Sequence, residues 1–332
     1  MSAREFADAV WTRATGAGVD PHEYRRVTDA LRSAADWGPG LVRAGRRYVE
    51  RAGGAEGAVS AVSAGEHLLT AARWFHLASL GPHGAAEAQA EADAALGRAL
   101  GLLEPEARRV SGAGFTGWLR GPARPSGTVV VVPGLDSAKE EFLDVADALL
   151  ARGLAVFAMD GPGQGVLAAD SVLRPDFEVV LGRVIDALDV PRVGLVGLSL
   201  GGYFAARGAA LDARVAVAAS VSGPSRLEWA GLPAPVRELL ARRTGSAEAA
   251  RAFAEDVDLT GLAPRIGVPL LVVDGGRDVV PGVTGGAPLA RLAPGGTYRF
   301  VPHGDHLLGN ARGDWLPALA DHVAHGLAGG AA

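Results

Sequence analysis

Short, uninterrupted apolar runs recur through the C-terminal two thirds of this 332-residue chain. Residues 127–132 read GTVVVV and 154–159 read LAVFAM, and runs at 193–197, 215–221, 269–274 and 297–301 follow in the same style. Runs of this length without alternation suit strands covered on both faces, the situation inside a parallel sheet. Parallel neighbours need crossovers, and helical patterns at 139–152 and 177–188 lie between the runs. Residues 108–332 are therefore expected to form a mostly parallel, doubly wound α/β domain. About fifty residues separate the run at 215–221 from the one at 269–274. That is too many for a plain crossover and predicts a helical lid insertion over about 226–264.

Residues 1–107 have a different character. Apolar residues at three- and four-residue spacing predict helices over 5–13, 21–35, 40–52, 61–80 and 85–103. Asp20-Pro21 has the form of an N-cap followed by proline at the first helical position. The pairs Gly38-Pro39 and Gly81-Pro82 are expected to punctuate the series. No internal repeat is evident.

Composition narrows the chemistry. Cysteine is absent, which removes disulfides, thiolate catalysis and cysteine-ligated metal. The net charge of −5 leaves no electrostatic footprint for nucleic acid. No run approaches the ~18 apolar residues of a membrane span, and the charged N-terminus MSAREFADAV lacks the apolar centre of a signal peptide. A cytoplasmic protein without nucleic-acid or membrane partners is expected. Of 32 basic residues only Lys139 is lysine, a bias suited to a GC-rich coding sequence.

The most informative motif is Gly197-Leu198-Ser199-Leu200-Gly201. It follows an apolar run and precedes a helical pattern at 203–211, the strand–turn–helix setting that G-x-S-x-G requires. A sharp turn strains the serine backbone, and only small residues two positions away on either side avoid a clash. The serine then sits at a helix N-terminus, where backbone dipoles favour developing negative charge.

A serine hydroxyl needs a base, and the base needs an acid, in the order Ser, Asp/Glu, His. Downstream of Ser199 lie only His303, His306, His322 and His325. His322 and His325 fall on the last helical pattern and are expected to face solvent. His306, in Gly304-Asp305-His306 after the last strand, is the chosen base, with His303 orienting the loop. Asp278, past the end of the run at 269–274, is preferred as the acid to Asp274 at its terminus. An oxyanion hole is expected from the N–H groups of Leu200 and of Leu135, in Pro133-Gly134-Leu135-Asp136-Ser137. Lys139 near acidic neighbours is read as a structural ion pair in preference to a catalytic lysine. Residues 161–165 lack phosphate-loop spacing and are read as a tight turn.

With these parts in place, residues 108–332 resemble the α/β-hydrolase superfamily. The strings PGLDSAKEE (133–141), DGPGQG (160–165), GLSLGGY (197–203) and GDH (304–306) resemble one branch of it. That branch holds fermentation-respiration-switch-like esterases, 2,6-dihydroxypseudooxynicotine hydrolase and fungal polyketide-shortening hydrolases. The resemblance implies an N-terminal helical cap on the hydrolase domain, an active site between them, and no cofactor or metal. It implies serine-dependent cleavage of a C–C bond or an ester in a hydrophobic, polyketide-like or aromatic small molecule. It also brings forward Glu228 and Trp229 after the sixth strand, and Trp74 and His76 in AARWFH, as substrate residues. A solvated glutamate and a packed aromatic seam are the competing readings of those positions. Carboxylester or thioester hydrolysis, and elimination of acetate from an acylated natural-product intermediate, remain alternatives. A homodimer is the assembly the resemblance suggests.

Overall fold

The computed structural model describes residues 2–54, 59–81 and 84–329, which fall into two compact units. The first comprises Met1–Ala107 together with Glu140–Asp144, and the second comprises Arg108–Lys139 and Val145–Ala332.

Among the described residues five α-helices build the first unit: α1 (Ala3–Gly16), α2 (Pro21–Thr28), α3 (Trp37–Ala52), α4 (Ala61–Ser79) and α5 (Ala85–Leu103). Ser2 and Glu5 form a reciprocal capping box at α1. Asp20 caps α2 through the Glu23 N–H at 2.7 Å. The helix expected over 21–35 stops at Thr28, and Asp36 collects the N–H groups of Arg32 and Ser33 to open a short 3-10 turn before α3. Gly38-Pro39 does not interrupt α3. It lies within that helix's first turn, where N–H groups have no intrahelical acceptor, so proline is tolerated. Of the second pair, Pro82 lies outside the described residues. The core holds Tyr24, Trp37, Leu41, Trp74 and Leu77. Trp37 Nε1–H donates to the Leu77 carbonyl at 2.8 Å, and the Tyr24 hydroxyl donates to that of Ala7 at 2.8 Å.

The second unit is an α/β sandwich on one eight-stranded sheet. Its strands are β1 (Arg108–Gly112), β2 (Phe115–Arg120), β3 (Thr128–Val132), β4 (Ala155–Asp160), β5 (Val193–Leu198), β6 (Val215–Val221), β8 (Leu270–Gly275) and β10 (Gly296–Val301). Two-residue strands β7 (Arg226–Leu227) and β9 (Val283–Thr284) pair separately. The sheet order is β1-β2-β4-β3-β5-β6-β8-β10, antiparallel only at the β1–β2 and β2–β4 pairings. Sequence patterning missed the β1–β2 hairpin, because β1 buries only Val110 and carries no apolar run. Every residue of β3, β4, β5 and β6 is buried, which is what continuous apolar runs are for.

The helices are α6 (Leu143–Leu150), α7 (Phe177–Leu188), α8 (Leu200–Leu211), α9 (Ala234–Thr244), α10 (Ala247–Asp256), α11 (Ala287–Leu292) and α12 (Arg312–Ala328). The expected helix over 139–152 starts only at Leu143, and Lys139 before it gives both its backbone N–H and its ammonium to Asp160. The segment between β6 and β8 holds β7, α9 and α10. It is tied down by hydrogen bonds from Arg243 to the Gly163 carbonyl (3.1 Å) and from Tyr203 to the Asp256 carbonyl (3.0 Å).

Strand order reverses at β3: the chain next adds β4 on one side, then β5 on the other. In open α/β sheets, ligands bind beyond the carboxyl ends of strands at such a switch point. Val132 pairs with Gly197, so two residues further along, Gly134 and Ser199 emerge side by side. At the other end Val301 pairs with Gly275, so the loops carrying Asp278 and His306 are likewise neighbours.

Candidate active site

Ser199 occupies the turn between β5 and α8 with φ 55° and ψ −129°, a conformation that non-glycine residues rarely adopt. The surroundings enforce it. The Ser199 N–H is held by the Val221 carbonyl at 2.8 Å, and the Ser199 carbonyl accepts from Gly202 N–H at 2.8 Å. A Cβ at position 197 would lie 1.9 Å from the Gly201 carbonyl oxygen, and one at 201 would lie 2.2 Å from that of Val132. Both glycines of the motif are thus required by close approach of backbone to backbone.

Three side chains from three loops meet here. The Ser199 hydroxyl lies 3.0 Å from His306 Nε2, and His306 Nδ1 lies 2.9 Å from Asp278 Oδ2. A carboxylate can only accept, so Nδ1 carries the proton and Nε2 is left to accept from the serine. Asp278 is mostly buried, whereas the His306 ring is 49% exposed.

The His306 loop is held in a strained shape. Leu307 and Leu308 follow with φ of 63° and 47°, both buried. Leu307 N–H donates to Ser222 Oγ at 3.0 Å, and Ser222 is itself at φ 51°. Asn310 staples the loop by accepting from Asp305 N–H and donating to the His303 carbonyl. Ser222 and Asn310 carried no signal in the sequence, since neither stands in a motif that spacing could single out.

Asp274 stands apart from this chain of contacts. Its carboxylate accepts from Gly286 N–H at 2.7 Å and from the Tyr298 hydroxyl at 3.2 Å. Burial raises its pKa, against those two hydrogen bonds. The His303 ring pairs with Asp314 at 3.1 Å on the surface. His322 is a correction: it is half-buried rather than solvent-facing, burial lowers its pKa, and its Nε2 is sealed from water.

Leu200 is the first residue of α8, so its N–H has no intrahelical acceptor. Leu135 lies on the loop after β3. Behind that loop, fully buried Gln164 donates to the carbonyls of Pro133 (2.7 Å) and Gly134 (2.8 Å). Lys139 Nζ and Asp160 Oδ2 form a buried ion pair at 2.6 Å that anchors the loop's far end.

The remaining candidates sit elsewhere. Glu228 is exposed in a surface depression with Arg226, Arg251, Glu255 and Asp258, its carboxylate 3.9 Å from Arg226. Trp229 is half-buried against the core, under the Arg237 guanidinium. Trp74 and His76 are corrected as substrate residues, because both are inaccessible to solvent inside the first unit. Trp74 stacks on Tyr24. His76 Nε2 donates to Glu141 Oε2 at 3.0 Å, while its Nδ1 accepts from Gln89 at 3.2 Å, so neither ring nitrogen is spare. Glu141 also receives Arg13 at 2.5 and 2.7 Å. Burial alone would raise the Glu141 pKa, but Arg13 and His76 hold it well below the carboxylate range. Among the described residues no cluster of three metal-ligating side chains occurs, and no helix is long and apolar enough to cross a membrane.

Residues 129–330, more than half of the chain, match the alpha/beta hydrolase family. The chain belongs to that family. At 30% identity over 200 residues it is similar to 2,6-dihydropseudooxynicotine hydrolase of Paenarthrobacter nicotinovorans, covering 55% of this chain and 54% of that protein. Alpha/beta hydrolase gkaG of Penicillium citrinum is 38% identical over 150 residues, or 37% of this chain and 35% of its own. The matched regions therefore span about half, or less, of these curated relatives. The solved 2,6-dihydroxy-pseudo-oxynicotine hydrolase superposes with a TM-score of 0.85 at 25% identity, over 96% of each chain. Family membership accounts for the mostly parallel eight-stranded sheet.

Proposed function

We propose that this alpha/beta hydrolase is a serine-dependent enzyme that cleaves a bond next to a carbonyl in a hydrophobic, polyketide-like or aromatic small molecule. One observation carries the reading: the Ser199 hydroxyl, on a strained elbow, lies 3.0 Å from a histidine whose far nitrogen is engaged by a carboxylate at 2.9 Å. Ser199 Oγ attacks the carbonyl carbon as His306 Nε2 takes its proton, and Asp278 steadies the resulting imidazolium. Negative charge on the former carbonyl oxygen falls to the N–H groups of Leu200 and Leu135. Collapse expels the leaving group, which receives the proton from His306, and water then releases the acyl group with His306 as base. No metal or organic cofactor enters this scheme.

With a ketone the leaving group is a stabilised carbanion, and the scheme becomes C–C hydrolysis, the chemistry that the resemblance implies. Ester or thioester cleavage is the second reading. It is favoured by Glu228, which faces solvent beside Arg226 and makes no hydrogen bond to the Ser199–His306–Asp278 chain. A carbanion calls for a well-placed proton donor more strictly than an alkoxide or thiolate does.

Intact-protein mass after fluorophosphonate treatment tests the reading. A single adduct is expected on wild type and none on Ser199→Ala or His306→Ala; an unlabelled, folded wild type would count against a covalent serine. On a turned-over substrate, 18O from labelled water in the acid product separates hydrolysis from elimination.

A further inference from the structure

The string Gly161-Pro162-Gly163-Gln164-Gly165 reads as a tight turn, yet its glutamine is fully buried and spends every polar atom. We infer that Gln164 is the positioning residue of the oxyanion hole, locking the Gly134–Leu135 peptide with its N–H toward the reacting carbonyl. The inference rests on the serine chemistry proposed above.

The orientation of the carboxamide is determined by its partners. Oε1 accepts from Gly161 N–H at 3.0 Å, and Nε2 gives its two hydrogens to the Pro133 and Gly134 carbonyls at 2.7 and 2.8 Å. The reversed amide would set an oxygen against two carbonyls and an NH2 against an N–H. In a trans peptide the C=O and the following N–H point in opposite directions, and no cis peptide is present among the described residues. Holding the Gly134 oxygen toward Gln164 therefore fixes the Leu135 N–H on the opposite side of that peptide plane.

The peptide needs such a lock because of the residue that precedes it. A Cβ at position 134 would lie 2.9 Å from Ser199 Cβ and 3.1 Å from the Leu198 carbonyl oxygen, so close packing of the loop on the elbow demands glycine. Glycine is also the residue that least resists peptide rotation. The same approach that brings Leu135 to the reacting centre thus loosens its N–H, and Gln164 removes that freedom. Asp160, the last residue of β4, clamps the other end by accepting from the Lys139 N–H (2.9 Å) and ammonium (2.6 Å).

The test compares fluorophosphonate inactivation rates, and kcat and KM on a chromogenic ester, for wild type, Gln164→Leu and Gln164→Glu, each normalised to folded protein. Losing one oxyanion donor costs about 100-fold or more, so inactivation rate and kcat should fall by about that factor with KM nearly unchanged. Gln164→Glu carries a second signature. Its ionised carboxylate repels the two carbonyls, whereas its protonated form has one O–H to return to Gly134. Its rate relative to wild type should therefore climb as pH is lowered, while the Gln164→Leu ratio stays flat. A purely structural role would lower melting temperature without that recovery. Rates within about threefold of wild type in folded variants, or equal pH behaviour of the two, would overturn the assignment of Gln164 alone. A wild type that resists the reagent would overturn the serine reading itself. Should both variants fail to fold, hydrogen exchange on wild type decides: the Gln164 side-chain amide protons must exchange slowly, and fast exchange overturns the lock.

Discussion

Replacing Asp278 by asparagine tests the assignment of the acid, because the sequence offered Asp274 four residues earlier. The substituted side chain would keep the size of the original and lose the charge that faces His306 Nδ1 across 2.9 Å. Its amide can present N–H to that nitrogen, which moves the ring proton to Nε2, the atom that must accept from Ser199. In a well-shielded serine triad this change lowers kcat by about 10⁴-fold. Here the His306 ring is 49% exposed, so water can take up part of the lost partner's role. A fall of about 10³-fold follows, or about 4 kcal/mol of transition-state stabilisation at 1.36 kcal/mol per decade. The control is Asp274→Asn, whose side-chain oxygen can still accept from Gly286 N–H and which has no bond to the histidine. It should keep kcat within about fivefold, since it leaves the tautomer of the base untouched. The assay is steady-state hydrolysis of an activated aryl ester with pre-steady-state burst amplitude, at pH values above and below the histidine range. A loss below about tenfold for Asp278→Asn would refute the argument, as would the larger loss falling on Asp274→Asn.

Two further outcomes follow from buried contacts. Ser222→Ala removes the acceptor of the buried Leu307 N–H at 3.0 Å, so the loop after His306 should lose about 1–2 kcal/mol, read as a lower melting temperature together with a fall in kcat and little change in KM. In the first unit, the Glu141 pKa lies below its ordinary 4.5, so the folded form binds fewer protons than the unfolded one. Stability from this group is full above about pH 4.5 and is lost as pH falls further. Glu141→Gln should therefore cost about 3 kcal/mol near neutrality, by removing the buried negative charge that Arg13 and His76 face, while flattening the acid limb of a pH series of urea melts. An unchanged acid limb would remove Glu141 from the account.

What could be read from the sequence depended on how far each feature reaches along the chain. The parallel strands were legible because burial on both faces leaves an unbroken apolar run, as in TVVVV at β3. The β1–β2 hairpin was not, since a strand with one buried residue resembles any loop. Periodicity predicts too long an α2 because the apolar spacing continues past Thr28, whereas Asp36 takes the N–H groups of Arg32 and Ser33. Ser199, Asp278 and His306 could be picked from chain order and from their distance past strand ends. Trp74 and His76 were harder, because helical spacing marks a shared face without saying what that face meets. Here it meets Tyr24, Gln89 and Glu141 inside the helical unit.

Register turns strand patterning into a site. Once β3 and β5 are adjacent with Val132 opposite Gly197, the second residue beyond each strand pairing must be close in space, and one of those residues is Ser199. Its neighbour, Gly134, cannot carry a side chain, since even a Cβ would stand 2.9 Å from that of Ser199. The loop after β3 therefore gains proximity at the cost of backbone definition, and the definition has to come from a third strand. It comes from β4, whose last residue, Asp160, holds Lys139 and whose following loop places Gln164 under two carbonyls. Each of these residues stood in a motif visible in the sequence. What joins them is a set of contacts reaching 21 to 31 residues along the chain, which no local spacing reveals.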